Sequence, residues 1–311
     1  MPDVLRLAEY LLTAGLIFVL LALVCNVVIL TSRQKRIAQQ ERAKVAATVV
    51  SASGSGPSVV VDSGRPRSGR RRRAKLSGLA LYATGFLLIG FLAVLAYVLL
   101  RMSLTGHGPF SNQHEFAVSF VLGILGAYLI VEFMYQVRAL SLAVLPIAAV
   151  LLVYAMSLDA GVEPLIPALQ NNLLLTLHVG FAMLAYGAAA VSCGAAVLYL
   201  IHPKLRLRNL PARDLFDDIG YKAATVTFPM LTIMIVLGAV WANTAWGRYW
   251  GWDPKETAAL VTWLIYGAYL HARVTRGWQG TRSAVLLLIG FLAVLFAYFG
   301  NHFFGGLHAY A

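Results

Sequence analysis

At 311 residues, 59% of them hydrophobic and only 12% charged, with a mean hydropathy of +0.74, the chain cannot be a soluble globule, which could not cover so much apolar surface. The formal charge of +12 does not describe a nucleic-acid groove, because residues 31 to 77 hold 12 Lys/Arg against Glu41 and Asp62 and so carry +10 of it. Cys25 and Cys193, each inside an apolar run and without a C-x-x-C pair, give neither a disulfide framework nor a thioredoxin-like site. They read as packing residues.

The composition instead predicts an all-α polytopic integral membrane protein. Apolar runs of spanning length fall at about 10 to 30, 78 to 100, 116 to 136, 139 to 158, 173 to 200, 223 to 243, 257 to 272 and 284 to 303, which makes about eight transmembrane helices. The first run follows Asp3, Arg6 and Glu9 and precedes Arg33, Lys35 and Arg36, the pattern of a retained span with its N-terminus outside rather than a cleaved signal. Alternating the spans from there puts 21 of the 25 Lys/Arg on the cytoplasmic side and leaves Arg6, Arg101, Arg248 and Lys255 outside. Both termini are then outside. The chain divides into a first helix (1 to 30), a basic, disordered cytoplasmic linker (31 to 77) whose arginines fix topology and touch anionic membrane lipid, and a transmembrane domain (78 to 311). Residues 101 to 114 and 159 to 172 read as outer connectors, and Arg138 marks a tight inner turn. Intramembrane Glu132 has Arg138 as its nearest candidate partner.

In the fifth run His178, Ala182, Ala185 and Ala189 recur at i, i+4, i+7 and i+11, placing a histidine above a strip of small residues of the kind that lets helices approach closely. Ionisable residues in spans are costly enough to point to function.

The densest chemical signal is Trp246-Gly247-Arg248-Tyr249-Trp250-Gly251-Trp252-Asp253-Pro254-Lys255-Glu256-Thr257, with three tryptophans and a tyrosine in seven residues. Interfacial belts use Trp and Tyr, but this many, interleaved with glycines, suit a platform for a flat ligand. Asp253-Pro254-Lys255-Glu256 has the form of an N-cap, a proline at N1 and a glutamate at N3, so Asp253 is a helix cap as readily as a ligand-site residue. His178 and His308 both fall near the outer surface on the platform's side, as two axial ligands of a haem iron would. His302 is a second outer histidine, six residues before His308. His271 lies 14 residues past Thr257, about 21 Å along a helix, and is either an end histidine or an intramembrane ligand. His202 reads as a solvated end residue. No H-x-x-x-H or cysteine pair supports zinc or copper. Arg248 and Lys255 are the platform's basic residues and the candidates to meet haem carboxylates.

The stretch Trp246 to Thr257 resembles the tryptophan-rich signature of the haem-handling proteins of cytochrome c assembly. The Thr262-Trp263-Leu264-Ile265-Tyr266 run, Leu270-His271-Ala272-Arg273, Gly306-Leu307-His308-Ala309-Tyr310 and Leu177-His178-Val179 are similar to those of the CcsA/ResC family of the system II pathway. The resemblance implies a haem-handling subunit of a cytochrome c synthase in the bacterial cytoplasmic membrane. It would bring haem b, as bound substrate, to the outer face for thioether attachment to C-x-x-C-H motifs of apocytochrome c. The implied partners are a ResB-type membrane subunit and a thiol-reducing thioredoxin-like protein. His178 and His308 would be outer axial ligands, His271 an intramembrane ligand, and Trp246, Gly247, Arg248, Tyr249, Trp250, Trp252 and Asp253 the cofactor-binding surface. No side chain of this chain is implied in direct catalysis. The alternative is a haem transporter or loader with no part in bond formation.

Overall fold

The computed structural model describes residues 2–31, 78–161, 169, 172–205, 207, 210–300, 304–306 and 308. The basic linker, apart from Thr31, lies outside the described residues, as do Pro164, Pro167 and His302. Eight long α-helices make up the described fold: α1 (Pro2–Thr31), α2 (Leu79–Thr105), α3 (Gln113–Tyr135), α4 (Ser141–Met156), α5 (Asn172–Ile201), α6 (Arg213–Trp246), α7 (Pro254–Arg276) and α8 (Thr281–Phe299). Each overlaps one of the apolar runs, and no strand is found among the described residues. Seven are long and apolar enough to cross a bilayer. The seventh in order, α7, is 23 residues long but carries Lys255, Glu256, His271, Arg273 and Arg276 and falls outside that group.

Local sequence sets the helix ends. Asn112 caps α3, its side chain accepting from Glu115 N at 2.9 Å. The expected turn at Arg138 is a single 3-10 turn, Arg138–Leu140, leading directly into α4. Gly247 closes α6 with φ 70°, its N–H donating to Asn243 O, a left-handed geometry that suits a residue without Cβ. At the start of α7, Asp253 accepts from Lys255 N at 2.9 Å and the Glu256 carboxylate reaches back to Asp253 N at 3.1 Å, the capping box read from the sequence.

The most deeply buried span is α5, which packs against α6, α3 and α8, while α1 lies along α2. Ala185 and Ala189 are fully buried, as a close-approach strip should be. The tightest crossing uses glycines instead. A Cβ on Gly187 of α5 would collide with the Gly123 carbonyl of α3, and one on Gly123 with the Met183 carbonyl. In lipid, where apolar burial does not distinguish helix from solvent, such backbone contact supplies van der Waals packing.

Two buried polar clusters pin the first half of the bundle. Glu132 pairs with Arg138 at 3.3 Å, as expected, and Thr84 donates to Glu132 at 2.6 Å. Arg138 also donates to Thr84 at 3.0 Å and to Asn26 at 3.3 Å, so α1, α2 and α3 meet at one guanidinium. Arg101, expected to open a connector, lies instead inside α2 and is only 2% exposed. It pairs with Glu115 at 2.8 Å and donates to the carbonyls of Ala160 and Gly161. These bonds offset the cost of burying the charge.

Candidate functional site

At one end of the bundle the starts of α3, α5 and α7 and the ends of α6 and α8 surround a pocket of about 1100 Å³, its mouth included. Ligand sites are typically concave and mostly apolar with a few placed polar groups. The wall here includes Phe116, Phe120, Met183, Ile235, Trp241 and Trp250, with His178 and His308 both on it.

His178, in the second turn of α5, hydrogen bonds through Nδ1 to Met234 O on α6 at 2.8 Å. A carbonyl can only accept, so Nδ1 carries the proton and Nε2 the lone pair. Gly238, one turn beyond Met234, leaves the space the ring fills, for a Cβ there would lie 2.7 Å from His178 Cε1. Trp241, one further turn on, stacks on His178 with centroids 6.3 Å apart and planes inclined by 13°.

His308 follows α8 and donates from Nδ1 to Asp253 Oδ1 at 2.9 Å, which again makes Nε2 the lone-pair nitrogen. Its ring meets Trp246 edge-on at 4.9 Å and Trp241 at 5.6 Å. The two histidines, 130 positions apart in the chain, therefore share Trp241 as a neighbour. Asp253 is both helix cap and histidine partner, and the two readings of it are compatible.

The aromatic stretch is divided by the fold. Tyr249 and Trp250 line the pocket, Tyr249 being 61% exposed at its mouth. Trp246 supports His308 from outside the lining. Trp252 is 69% exposed and meets Trp250 edge-on at 5.7 Å. Its φ of 56° is unusual for a bulky residue and turns the chain into the Asp253 cap. Gly247 shapes the other end of the turn. Arg248 is exposed, its guanidinium lying over Gly251 rather than on the pocket wall.

His271 is not brought to this pocket. It sits exposed on α7 towards the opposite end. His202 is half-buried, donating to Pro211 O at 3.0 Å and packing near Phe216, so it is part of the fold rather than a solvated end residue. Trp241 was hidden from sequence reasoning because it ends an apolar run and precedes the tryptophan-rich stretch by five residues. Tyr186 was legible in principle: it stands eight residues after His178, on the same face as Ala182, and both line the pocket.

A multi-pass helical membrane protein with two histidines and a tryptophan wall on one pocket is the class these observations define. Residues 110–308 match the family described as Cytochrome C assembly protein. The cytochrome c biogenesis protein CcsA of Guillardia theta is 36% identical over 234 residues, covering 66% of this chain and 77% of that one. Those of Gloeothece citriformis and Synechococcus elongatus are 33% and 34% identical over 289 residues, covering 75% and 76% of this chain and 88% and 89% of theirs. Among solved structures, the cytochrome c heme lyase CcmF shares the fold with a TM-score of 0.64 at 17% identity, over 94% of this chain and 46% of that one. This chain thus spans about half the length of that neighbour. The chain belongs to the cytochrome c assembly protein family.

Proposed function

We propose that this chain is the membrane subunit of a system II cytochrome c synthase, which moves haem b to the outer face and presents it to the C-x-x-C-H segment of apocytochrome c. The observation that carries the reading is the pair His178 and His308, each with Nδ1 anchored and each on the wall of one aromatic pocket. Among the described residues no group of three or more His, Cys, Asp or Glu could hold a metal ion. Two imidazoles suit a metal whose other four ligands come from a macrocycle.

In this reading His178 and His308 are the axial ligands. Trp241 and Trp250 hold the macrocycle, Trp246 backs His308, and Tyr249, Gly247, Arg248, Trp252 and Asp253 shape the rim and the His308 side. The protein positions the haem, and the thiols belong to the substrate. Each thiol adds across a vinyl double bond, sulfur to one carbon and a proton to the other. A thioredoxin-like reductant keeps those thiols reduced. His271, exposed on α7, is an intramembrane ligand on the route, completed by a ligand from a ResB-type subunit. The pocket end of the bundle faces outward, and the membrane is the bacterial cytoplasmic membrane.

The purified protein is expected to show a low-spin haem spectrum that weakens in His178→Ala and in His308→Ala. An unchanged spectrum in both variants removes the ligand assignment. Reconstitution with the ResB-type partner and a C-x-x-C-H peptide is expected to yield covalent thioether haem. Haem that binds and is never attached would favour the loader.

A further inference from the structure

We infer that Lys255 is the anion subsite of this pocket, taking a carboxylate of the flat ligand and so fixing which edge of that ligand points inward; this rests on the haem reading above. Lys255 lies on the pocket wall, half-buried, with Nζ 5.1 Å from the centre of the Phe116 ring. Among the described residues its ammonium forms no ion pair and no hydrogen bond. Of the two carboxylates near it in sequence, Asp253 attracts the ammonium without pairing with it, and both are engaged by other donors. Asp253 caps α7 and accepts from His308, and Glu256 accepts from Gly251 N at 2.8 Å and from Asp253 N. An ammonium on a mostly apolar wall is costly without an anion, and a cation–π contact compensates only in part.

Among the described residues, two further polar groups on the wall have no hydrogen-bond partner. The Gln113 side-chain oxygen is buried and unbonded, and Gln113 stands one turn before Phe116 on α3. A half-turn of that amide would present an N–H at the same place. The Tyr298 hydroxyl is also buried and unbonded, on a residue only 6% exposed whose ring packs on Phe120, one turn beyond Phe116. Lys255, Gln113 and Tyr298 are thus three potential donors ranged along the Phe116–Phe120 face. All are suited to carboxylate oxygens.

Arg248, the other basic residue of the aromatic stretch, does not share this position. It lies exposed over Gly251, outside the pocket lining. The carboxylate edge of a protoporphyrin is therefore held inward against α3 and α7. Its two vinyl groups, on the far side of the macrocycle, then face the mouth marked by Tyr249, where an incoming segment can reach them.

The test compares iron protoporphyrin IX with its dimethyl ester, titrated into the purified full chain in detergent and read by the low-spin band. The wild-type protein is expected to bind the free acid at least ten times more tightly than the diester. K255Q should abolish that preference by weakening the free acid alone, K255R should restore most of it, and R276Q, exposed at the opposite end of α7, should retain it. Equal binding of acid and diester by the wild-type protein, or a preference that survives in K255Q, overturns the subsite. A wild-type protein that binds neither porphyrin overturns the haem reading itself, which keeps the two failures apart.

Discussion

His308 donates from Nδ1 to Asp253 Oδ1 at 2.9 Å, and the same carboxylate is the N-cap of α7. One side chain thereby couples the start of a helix to the orientation of a candidate iron ligand. A carboxylate behind a ligating imidazole raises its basicity and fixes its tautomer, and losing such a partner typically costs about 10–100-fold in metal affinity. The two functions separate in Asp253→Asn, because Asn caps helices about as well as Asp. Haem affinity should fall by about tenfold or more while thermal stability changes by less than about 1 kcal/mol. Haem titration and a thermal melt on the same preparation read both quantities. A large loss of stability with affinity intact would mean that Asp253 serves the helix alone.

Gly238 offers a second, independent handle on the other histidine. A Cβ there would lie 2.7 Å from His178 Cε1 and 2.9 Å from Nδ1, so the ring must turn out of its seat and off the Met234 carbonyl. Alanine is the better helix former by about 1 kcal/mol, so Gly238→Ala should leave α6 intact. The expected result is conversion of bound haem from low-spin to high-spin, read in the visible and EPR spectra. Gly180→Ala on α5, where no atom lies within 4 Å of the added methyl, should be silent and serves as the control. A low-spin spectrum in Gly238→Ala would show that His178 does not depend on this seat.

The spans were legible in the sequence because apolar runs and bilayer thickness impose the same length, and the α7 cap because Asp-Pro-Lys-Glu is a local pattern. Even so, α7 reads as a span only by its run from 257 to 272, and its polar ends set it apart from the other seven helices. The histidine pair was legible because both residues fall near helix ends on the platform's side. What joins them was not. Trp241, Gly238 and the Met234 carbonyl belong to one helix face, and their role depends on how α6 packs against α5, which no periodicity in either helix reports. Arg101 was misplaced for a related reason: a buried arginine inside a helix end is stable only with Glu115 and two carbonyls some 60 residues away.

The Glu132–Arg138 pair predicts a stability cycle. Glu132 is 4% exposed, and its buried Oε1 accepts from Thr84 and faces Arg138. Removing one member of a buried pair strands the other charge, at a cost of about 3–5 kcal/mol, whereas replacing both is often close to neutral. Arg138→Gln and Glu132→Gln should each lower stability by that order in a detergent denaturation series, and the double variant should recover much of the loss. Additive losses in the double variant would show that the two side chains act separately, for example through Asn26 and Thr84.

The α3–α5 crossing makes the sharpest prediction about the scaffold. Gly187 and Gly123 meet backbone to backbone, so an added methyl encounters a carbonyl that has no rotamer with which to yield. Overpacking a tight core typically costs about 1–3 kcal/mol, and Gly187→Ala should fall at or above the top of that range despite alanine's higher helix propensity. Because α5 also carries His178, Ala182 and Tyr186 on the pocket wall, any separation of α3 from α5 widens the site between Phe120 and Tyr186, whose rings now lie 5.4 Å apart. Gly187→Ala should therefore weaken haem binding as well as stability, whereas Gly85→Ala on α2, with nothing within 4 Å of the new methyl, should affect neither. Denaturation and haem titration of the two variants side by side check this, and normal stability in Gly187→Ala would refute the close crossing.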